Sequence, residues 1–375
     1  MRYRVVYYIE SSDFGGAEQM LYNLLSELDR NSWEPVLVYQ QHSGIVSFVD
    51  RIRDLGISTV SVSAINGLGD IGGINRLVEI LRQLRPAVFH AQLVSNLKCT
   101  AGIICARLAG IKAIVATQHS YQKFRARRIY KVYIRFIYQR LVSMLVDRYI
   151  SVSRSQAKQL KEVISQGKVS IVHNAVRAQD FAFGTRSETI QDDRRPAVLT
   201  VARLDRLKGI EDLIDAAALV PDAFFFLAGD GPERAALEER SRRLGVADRI
   251  IFLGRRNDVP ALLNSCDIFV LPSLLEGLPL SVMEAMSASK PVIGTNIDGI
   301  NDLITDRENG LLVPTRDPGA LADAINLLLS DGQLAERIAV SARDTIDRSF
   351  TSEQMIKGVT DIYSEIIRRK GIKGH

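Results

Sequence analysis

The chain has 375 residues, room for two domains of about 150 residues each. Its composition of 46% hydrophobic and 24% charged residues, with 26 Gly and 11 Pro, excludes a collagen-like, low-complexity or disordered polymer. Up to residue 180, 24 Lys and Arg face 13 Asp and Glu, a net +11, while the remaining 24 and 30 leave −6; such asymmetry points the first half at something anionic, a membrane surface or a nucleic acid.

The β-branched and aromatic run Arg2 to Ile9 predicts a buried strand, and a glycine-rich turn to Gly16 leads into a helix over Ala17 to Leu28, where Leu21, Leu24, Leu25 and Leu28 recur at helical spacing. The same alternation follows. Strands are expected at Pro35 to Tyr39, Ser58 to Val62, Ala87 to Ala91 and Ala113 to Thr117, with helices at Val46 to Leu55, Ile74 to Leu84 and Leu97 to Leu108. The polar stretch Arg177 to Pro196 fits an interdomain linker. Beyond it the rhythm restarts, with strands at Ala197 to Ala202, Ala223 to Ala228, Arg249 to Leu253, Ile268 to Leu271 and Lys290 to Gly294, and helices such as Ile210 to Leu219 and Glu233 to Leu244. A final amphipathic helix, Ser352 to Arg369, is placed so that it could pack back on the first domain.

Strands alternating with helices predict parallel sheets covered on both faces: an α/β protein of two doubly wound Rossmann-like domains, 1–176 and 197–350, joined by 177–196 and followed by 351–375. Ligands of such sheets bind beyond the carboxyl ends of the strands, so two facing domains define a cleft. The run Val5 to Ile9 is too short for an export signal, and no stretch of about 18 apolar residues predicts a spanning helix. Cys99, Cys105 and Cys266 fit neither a disulfide framework nor zinc spacing, so free thiols in a reducing compartment and no structural metal are expected.

The densest chemical signal is Pro272 to Met286, directly after an apolar strand. It places Glu276 in the loop ahead of a helix that Pro279 opens, and Glu284 inside that helix. Free N–H groups of the first turn suit a phosphate, and two carboxylates suit the vicinal hydroxyls of a sugar or ribose. Two other readings stand beside this one: ordinary loop and helix residues, or a glycosidase acid/base pair. Arg203 and Lys208, after the first strand of the second domain, can neutralise a diphosphate, or they are solvated loop cations. Gly15 and Gly16, between the first strand and helix, allow close backbone approach to a ligand. The segment is neither GxGxxG nor GxxxxGK[ST], so a nicotinamide or ATP-hydrolysis reading lacks support.

Gly229 to Pro232 reads as a strand-to-helix turn. His119, at the end of a strand, falls at the cleft mouth or is structural, and His173 belongs to the hinge without a chemical role. The segment Lys123 to Arg148 holds eight cations against Asp147. Arg128, Lys131 and Arg135 share one helical face, with Tyr130, Tyr133, Ile134, Ile137, Leu141 and Leu145 toward the other. That pattern describes either an interfacial helix or a buried apolar face under a solvated basic one.

With these residues in hand, the chain resembles the retaining glycosyltransferases of family 4, of the GT-B class, over nearly its full length. The resemblance rests on Gly15-Gly16-Ala17-Glu18, Thr117-Gln118-His119, Val201-Ala202-Arg203 through Lys208-Gly209, Gly229 to Pro232, Glu276 with seven residues before Glu284, and Asn309 to Pro314. It implies a nucleotide diphosphate sugar as co-substrate, with Arg203 and Lys208 on the diphosphate, Glu284 on the ribose and Glu276 on the transferred sugar. Gly277 and Leu278 would line the donor site beside it. Gly15 and Gly16 would bring backbone toward the diphosphate, and His119 would lie near the sugar and the acceptor. It further implies a glycan or lipid-linked acceptor, retention of anomeric configuration, polysaccharide or glycolipid assembly, and no metal or other cofactor.

Ala175-Val176-Arg177 and Asp298 to Asp302 depart from the family pattern in the hinge and in one acid. The protein is expected in the cytoplasm, with peripheral attachment at the inner membrane face as the second reading. Two alternatives remain: a nucleotide-sugar epimerase of the same architecture, and a basic nucleic-acid-binding protein, which lacks any recognised binding motif.

Overall fold

The computed structural model describes residues 1–374 except 66, 68, 96, 97, 121–128, 183, 184 and 191–194; for 129–135 and 182 it describes the backbone. The chain forms two compact units, Met1–Asn174 with Ser352–His375, and Ala175–Thr351.

In the first unit, β1 (Tyr3–Ile9), β2 (Trp33–Gln40), β3 (Ser58–Val62), β4 (Val88–Leu93), β5 (Ala113–Gln118), β6 (Arg148–Ser151) and β7 (Val169–Ile171) make one sheet in the order β3-β2-β1-β4-β5-β6-β7. Every pairing is parallel. Central strands of such a sheet are covered on both faces, which is why Val5 to Ile9 reads as an unbroken apolar run and is buried throughout.

Two helix starts differ from the sequence expectation. The helix expected from Leu97 begins at Thr100, because Cys99 sits in the left-handed region at φ 60° and its N–H is taken by the Glu10 carboxylate at 2.8 Å. The helix expected from Ile74 begins earlier, at Ile71, because the Asp70 side chain accepts from Gly73 N at 2.9 Å. This cap offsets the poor helix propensity of Gly72 and Gly73.

The C-terminal helix Ser352–Lys370 belongs to the first unit. Its Tyr363 is fully buried against Trp33, with ring centroids 5.3 Å apart, and its hydroxyl meets His90 Nδ1 at 2.5 Å and Tyr7 at 3.2 Å. At its exposed edge, Arg148 pairs with Glu365 at 2.5 Å and Lys370 pairs with Asp147.

The second unit holds β8 (Ala197–Val201), β9 (Phe224–Ala228), β10 (Ile250–Gly254), β11 (Ile268–Leu271), β12 (Val292–Thr295) and β13 (Leu311–Val313), in the parallel order β10-β9-β8-β11-β12-β13. The chain runs outward from β8 through β10, then returns to place β11 on the other side of β8. That reversal is the topological switch point of an open α/β sheet, and the carboxyl ends of β8 and β11 flank it. The stretch read as a linker packs here: helix Gln179–Ala182 lies on helices Leu280–Ser287 and Val259–Ser265, and Ser187 N donates to Ser265 Oγ at 2.7 Å.

Candidate functional site

The switch point of the second unit joins two loops by direct bonds. Thr200 Oγ1 on β8 donates to Val270 O on β11 at 2.7 Å, and Leu274 N donates to Leu207 O at 2.7 Å. Asp205 caps a short turn over Arg206–Lys208, and the turn closes on Gly209 at φ 60°. A Cβ on Gly209 would stand 2.1 Å from Pro272 O, so only glycine lets the two loops touch. The contact carries Lys208 to Glu276: Nζ donates to Oε1 at 2.6 Å, and Ser273 Oγ donates to the same oxygen at 2.7 Å. Both side chains are largely covered, at 24% and 9% exposure.

The loop around Glu276 is supported from the next strand. Thr295 on β12 donates to Ser273 O, and Gly299, at φ 87°, abuts the carbonyls of Glu276 and Gly277, where a Cβ would come within 2.8 Å of both. Gly277 and Leu278 are buried in this turn, ahead of helix Leu280–Ser287. Pro279 is its N-cap and no side chain caps it, so its first-turn N–H groups and partial positive charge are available to an anion.

Glu284 lies one turn further along the helix. Its carboxylate has no hydrogen bond or ion pair among the described residues, and desolvation pushes its pKa up to about 7 although some surface stays accessible. An unpaired acceptor in a drying environment fits a partner that supplies hydroxyl donors.

Arg203 follows β8 and stays 57% exposed, its nearest acid Asp205 at 3.7 Å. It is the exposed member of the cationic pair, with Lys208 the seated one. Gly229, at φ 140°, and Gly231 serve packing: a Cβ at either would strike the carbonyl of Ala202 or Leu204. Leu204 N also donates to Asp230 O at 3.0 Å, which steadies the Arg203 loop. Asn309 likewise builds structure, bonding to Thr305 N, Leu303 O and Thr345 at 2.7 to 3.0 Å.

In the first unit the switch point lies between β1 and β4. Gly15, on the loop after β1, and Gly16, the first residue of the helix, are exposed, and the Glu18 carboxylate folds back to accept from Gly15 N at 2.9 Å and from Ser11 Oγ. This is the half of a capping box that a glycine N-cap allows, the N3 carboxylate bonding back to the N-cap N–H, and it positions the start of helix Gly16–Glu27. His119 directly follows β5. Its Nε2 meets Gln92 Oε1 at 2.8 Å, and desolvation lowers its pKa to about 4, so the ring is neutral at pH 7. His173 Nδ1 is engaged with Val152 O at 2.9 Å. Sequence reasoning missed Gln92 and Glu10, which lie inside or beside apolar strands and carry no motif.

For the basic segment, Arg128 lies outside the described residues. Lys131 and Arg135 lie on helix Ile129–Leu145, and their side chains are not described. The apolar face expected there is corrected in part. Val142 is buried, and Tyr138 and Leu145 pack against the core, whereas Ile137, Leu141 and Met144 are 40%, 58% and 69% exposed. The reason is rotation: 138, 142 and 145 form one helical stripe, and 137, 141 and 144 lie about 100° around from it.

Two doubly wound parallel-sheet units, one with a cation and a carboxylate joined at its switch point, make up a GT-B fold. Solved structures share the architecture. Anabaena HepE with UDP and glucose superposes at a TM-score of 0.83 with 20% identity over 97% of this chain and 100% of that one, and sucrose-phosphate synthase from Thermosynechococcus elongatus at 0.80 with 19% identity over 98% and 100%.

A model of the group 1 glycosyl transferases matches residues 185–345, and one of Glycosyltransferase Family 4 matches 14–180. Among curated relatives, the Escherichia coli UDP-Gal:alpha-D-GlcNAc-diphosphoundecaprenol alpha-1,3-galactosyltransferase is 26% identical over 86% of both chains. The Campylobacter jejuni N,N'-diacetylbacillosaminyl-diphospho-undecaprenol alpha-1,3-N-acetylgalactosaminyltransferase is 26% identical over 86% of this chain and 89% of its own. The chain belongs to the group 1 glycosyltransferases of family 4. This class is that of a transferase, not of the glycosidase or epimerase that the sequence also allowed.

Proposed function

We propose that the protein moves a sugar, with retention of anomeric configuration, from a nucleotide diphosphate sugar to a glycan or lipid-linked acceptor in polysaccharide or glycolipid assembly. The observation that carries this reading is the Lys208–Glu276 pair at the β8/β11 switch point, because it sets a cation suited to a diphosphate beside a carboxylate suited to sugar hydroxyls. The names of the Escherichia coli and Campylobacter jejuni relatives, both acting on diphosphoundecaprenol-linked sugars, support the acceptor class. The Anabaena structure with UDP and glucose supports the donor class.

In this reading Lys208, Arg203 and the N-terminus of helix Leu280–Ser287 stabilise the diphosphate as negative charge grows on it, Glu284 accepts from the ribose hydroxyls, and Glu276 with Gly277 and Leu278 orients the sugar. Gly15 and Gly16 give backbone contact to the donor, and His119 serves the sugar and acceptor. The bond from the anomeric carbon to the diphosphate oxygen breaks as the acceptor oxygen bonds that carbon from the same face. The acceptor proton passes to the departing phosphate oxygen. Protein cations and helix N–H groups carry the charge, so we propose turnover without a metal, and turnover unchanged by a chelator is the expected result.

The first test is a thermal-shift panel of UDP-, GDP- and ADP-sugars, since a ligand that binds only the native state raises stability with occupancy. Product analysis then reads the anomer. No stabilisation by any of these donors, or an inverted product, rejects the reading.

Attachment to an anionic bilayer is the second element of the proposal. Ile137, Leu141 and Met144 form an exposed apolar stripe with exposed Arg140 beside it, on a helix preceded by a strongly basic sequence. Among the described residues no helix is long and apolar enough to cross a membrane.

A further inference from the structure

His119 has one side-chain partner among the described residues, Gln92. Gln92 is on β4 and only 2% exposed, opposite Thr117 of β5 and Ile9 of β1, and its carbonyl oxygen receives Cys99 Sγ at 3.2 Å. Sheet pairing and burial therefore leave its carboxamide little freedom. The oxygen Oε1 faces His119 Nε2 at 2.8 Å, while the amide nitrogen is buried with no acceptor among the described residues. A side chain that only filled space here would avoid that unpaired donor by being Met or Leu. The carboxamide is explained by what its oxygen does to the histidine.

We propose that Gln92 is a positioning residue that holds His119 in the Nε2–H form and so leaves Nδ1 as a hydrogen-bond acceptor for a hydroxyl of the bound sugar or acceptor. An amide oxygen can only accept, so the ring nitrogen facing it carries the proton. The ring is neutral, and Nδ1, which has no partner among the described residues, keeps its lone pair. A hydroxyl donating to that lone pair is recognised, whereas a ring of the opposite tautomer presents an N–H there. The other ionisable side chain coupled to His119 is His90. It is itself fully buried and kept neutral by burial, its ring nitrogens occupied by Tyr363 and Thr117. The inference rests on His119 lying at the sugar and acceptor site, and the experiment separates the two claims.

The imidazole 15N shifts of His119 in the full-length protein without ligand are the primary readout. The Nε2–H form is expected in the wild type, averaged ring shifts in Gln92→Met, and a restored Nε2–H form with a raised ring pKa in Gln92→Glu. In UDP-release assays, with the donor among UDP-glucose, UDP-galactose and UDP-N-acetylglucosamine that gives the largest thermal shift, Gln92→Met should lower kcat about tenfold with little change in KM. Gln92→Glu should recover part of that loss and move the acid limb of the pH profile upward. A wild-type Nδ1–H form overturns the proposal. So does a Gln92→Met variant with unchanged ring shifts and unchanged kcat while His119→Ala is impaired. A silent His119→Ala instead overturns the placement of His119 and leaves the tautomer result standing.

Discussion

Lys208 and Glu276 are 68 positions apart in the chain, yet their side chains meet at 2.6 Å because β8 and β11 are neighbours across the switch point. Ser273 adds a second donor to the same carboxylate oxygen, so the pair is braced from both loops. A braced cation needs little reorganisation when charge develops next to it, and preorganisation of this kind accounts for much of the rate enhancement by charged sites.

Lys208→Ala should therefore lower kcat by about 100-fold or more, measured as UDP release under saturating donor. Glu276→Gln keeps shape and removes charge, and should lose turnover to a similar degree while the urea midpoint moves little. Full activity in both variants would remove these residues from the site.

Glu284 gives a pH signature. Its pKa is raised to about 7 from the ordinary 4.5, so between those values the folded protein holds a proton that the unfolded chain releases. Stability contributed by this group is therefore present below about 4.5 and is lost as pH rises through about 7. Ribose hydroxyls favour the ionised carboxylate, so donor binding should strengthen over the same rise and release protons near pH 6.5. Calorimetry of UDP binding in buffers of differing ionisation enthalpy reads that release, and Glu284→Gln should abolish it.

Gly209→Ala tests the loop contact without touching a charged group. The left-handed backbone and the 2.1 Å approach to Pro272 O make the change cost about 1–3 kcal/mol. It also displaces Lys208, so a lower urea midpoint should come with weaker donor binding. An alanine variant as stable and as tight-binding as the parent would contradict the geometry.

Tyr363→Phe removes the hydroxyl that joins the C-terminal helix to His90 and Tyr7 of the first unit. Leaving those buried groups short of a partner should cost about 1–3 kcal/mol, read as a shift in the denaturant midpoint with an unchanged slope.

Membrane attachment is checked by sedimentation with phosphatidylglycerol vesicles. Replacing Ile137, Leu141 and Met144 together by Asp should abolish co-sedimentation at low salt, with the far-ultraviolet dichroism unchanged. Binding that persists would place the contact elsewhere.

The alternation of strands and helices, the placement of Glu276 in a loop and Glu284 in a helix, and the cationic loop at Arg203 and Lys208 were all legible in the chain, because they rest on local periodicity, proline and glycine. The late start of the helix at Thr100 was not, because Glu10, 89 positions away, holds Cys99 N–H. The buried face of the basic helix was also hidden, since hydropathy alone does not say which of two adjacent apolar stripes meets the core.

What the sequence by itself determined is the identity of each element and the chemical types available at its ends. Only the tertiary structure decided which ends meet: the strand order that seats Lys208 on Glu276, the glycine at 209 that permits the approach, and the sheet pairing that turns Gln92 toward His119. The physical reason is that local preferences act within a few residues, whereas a site is assembled by contacts between segments far apart in the chain, which exist only once the sheets have formed and buried both their faces.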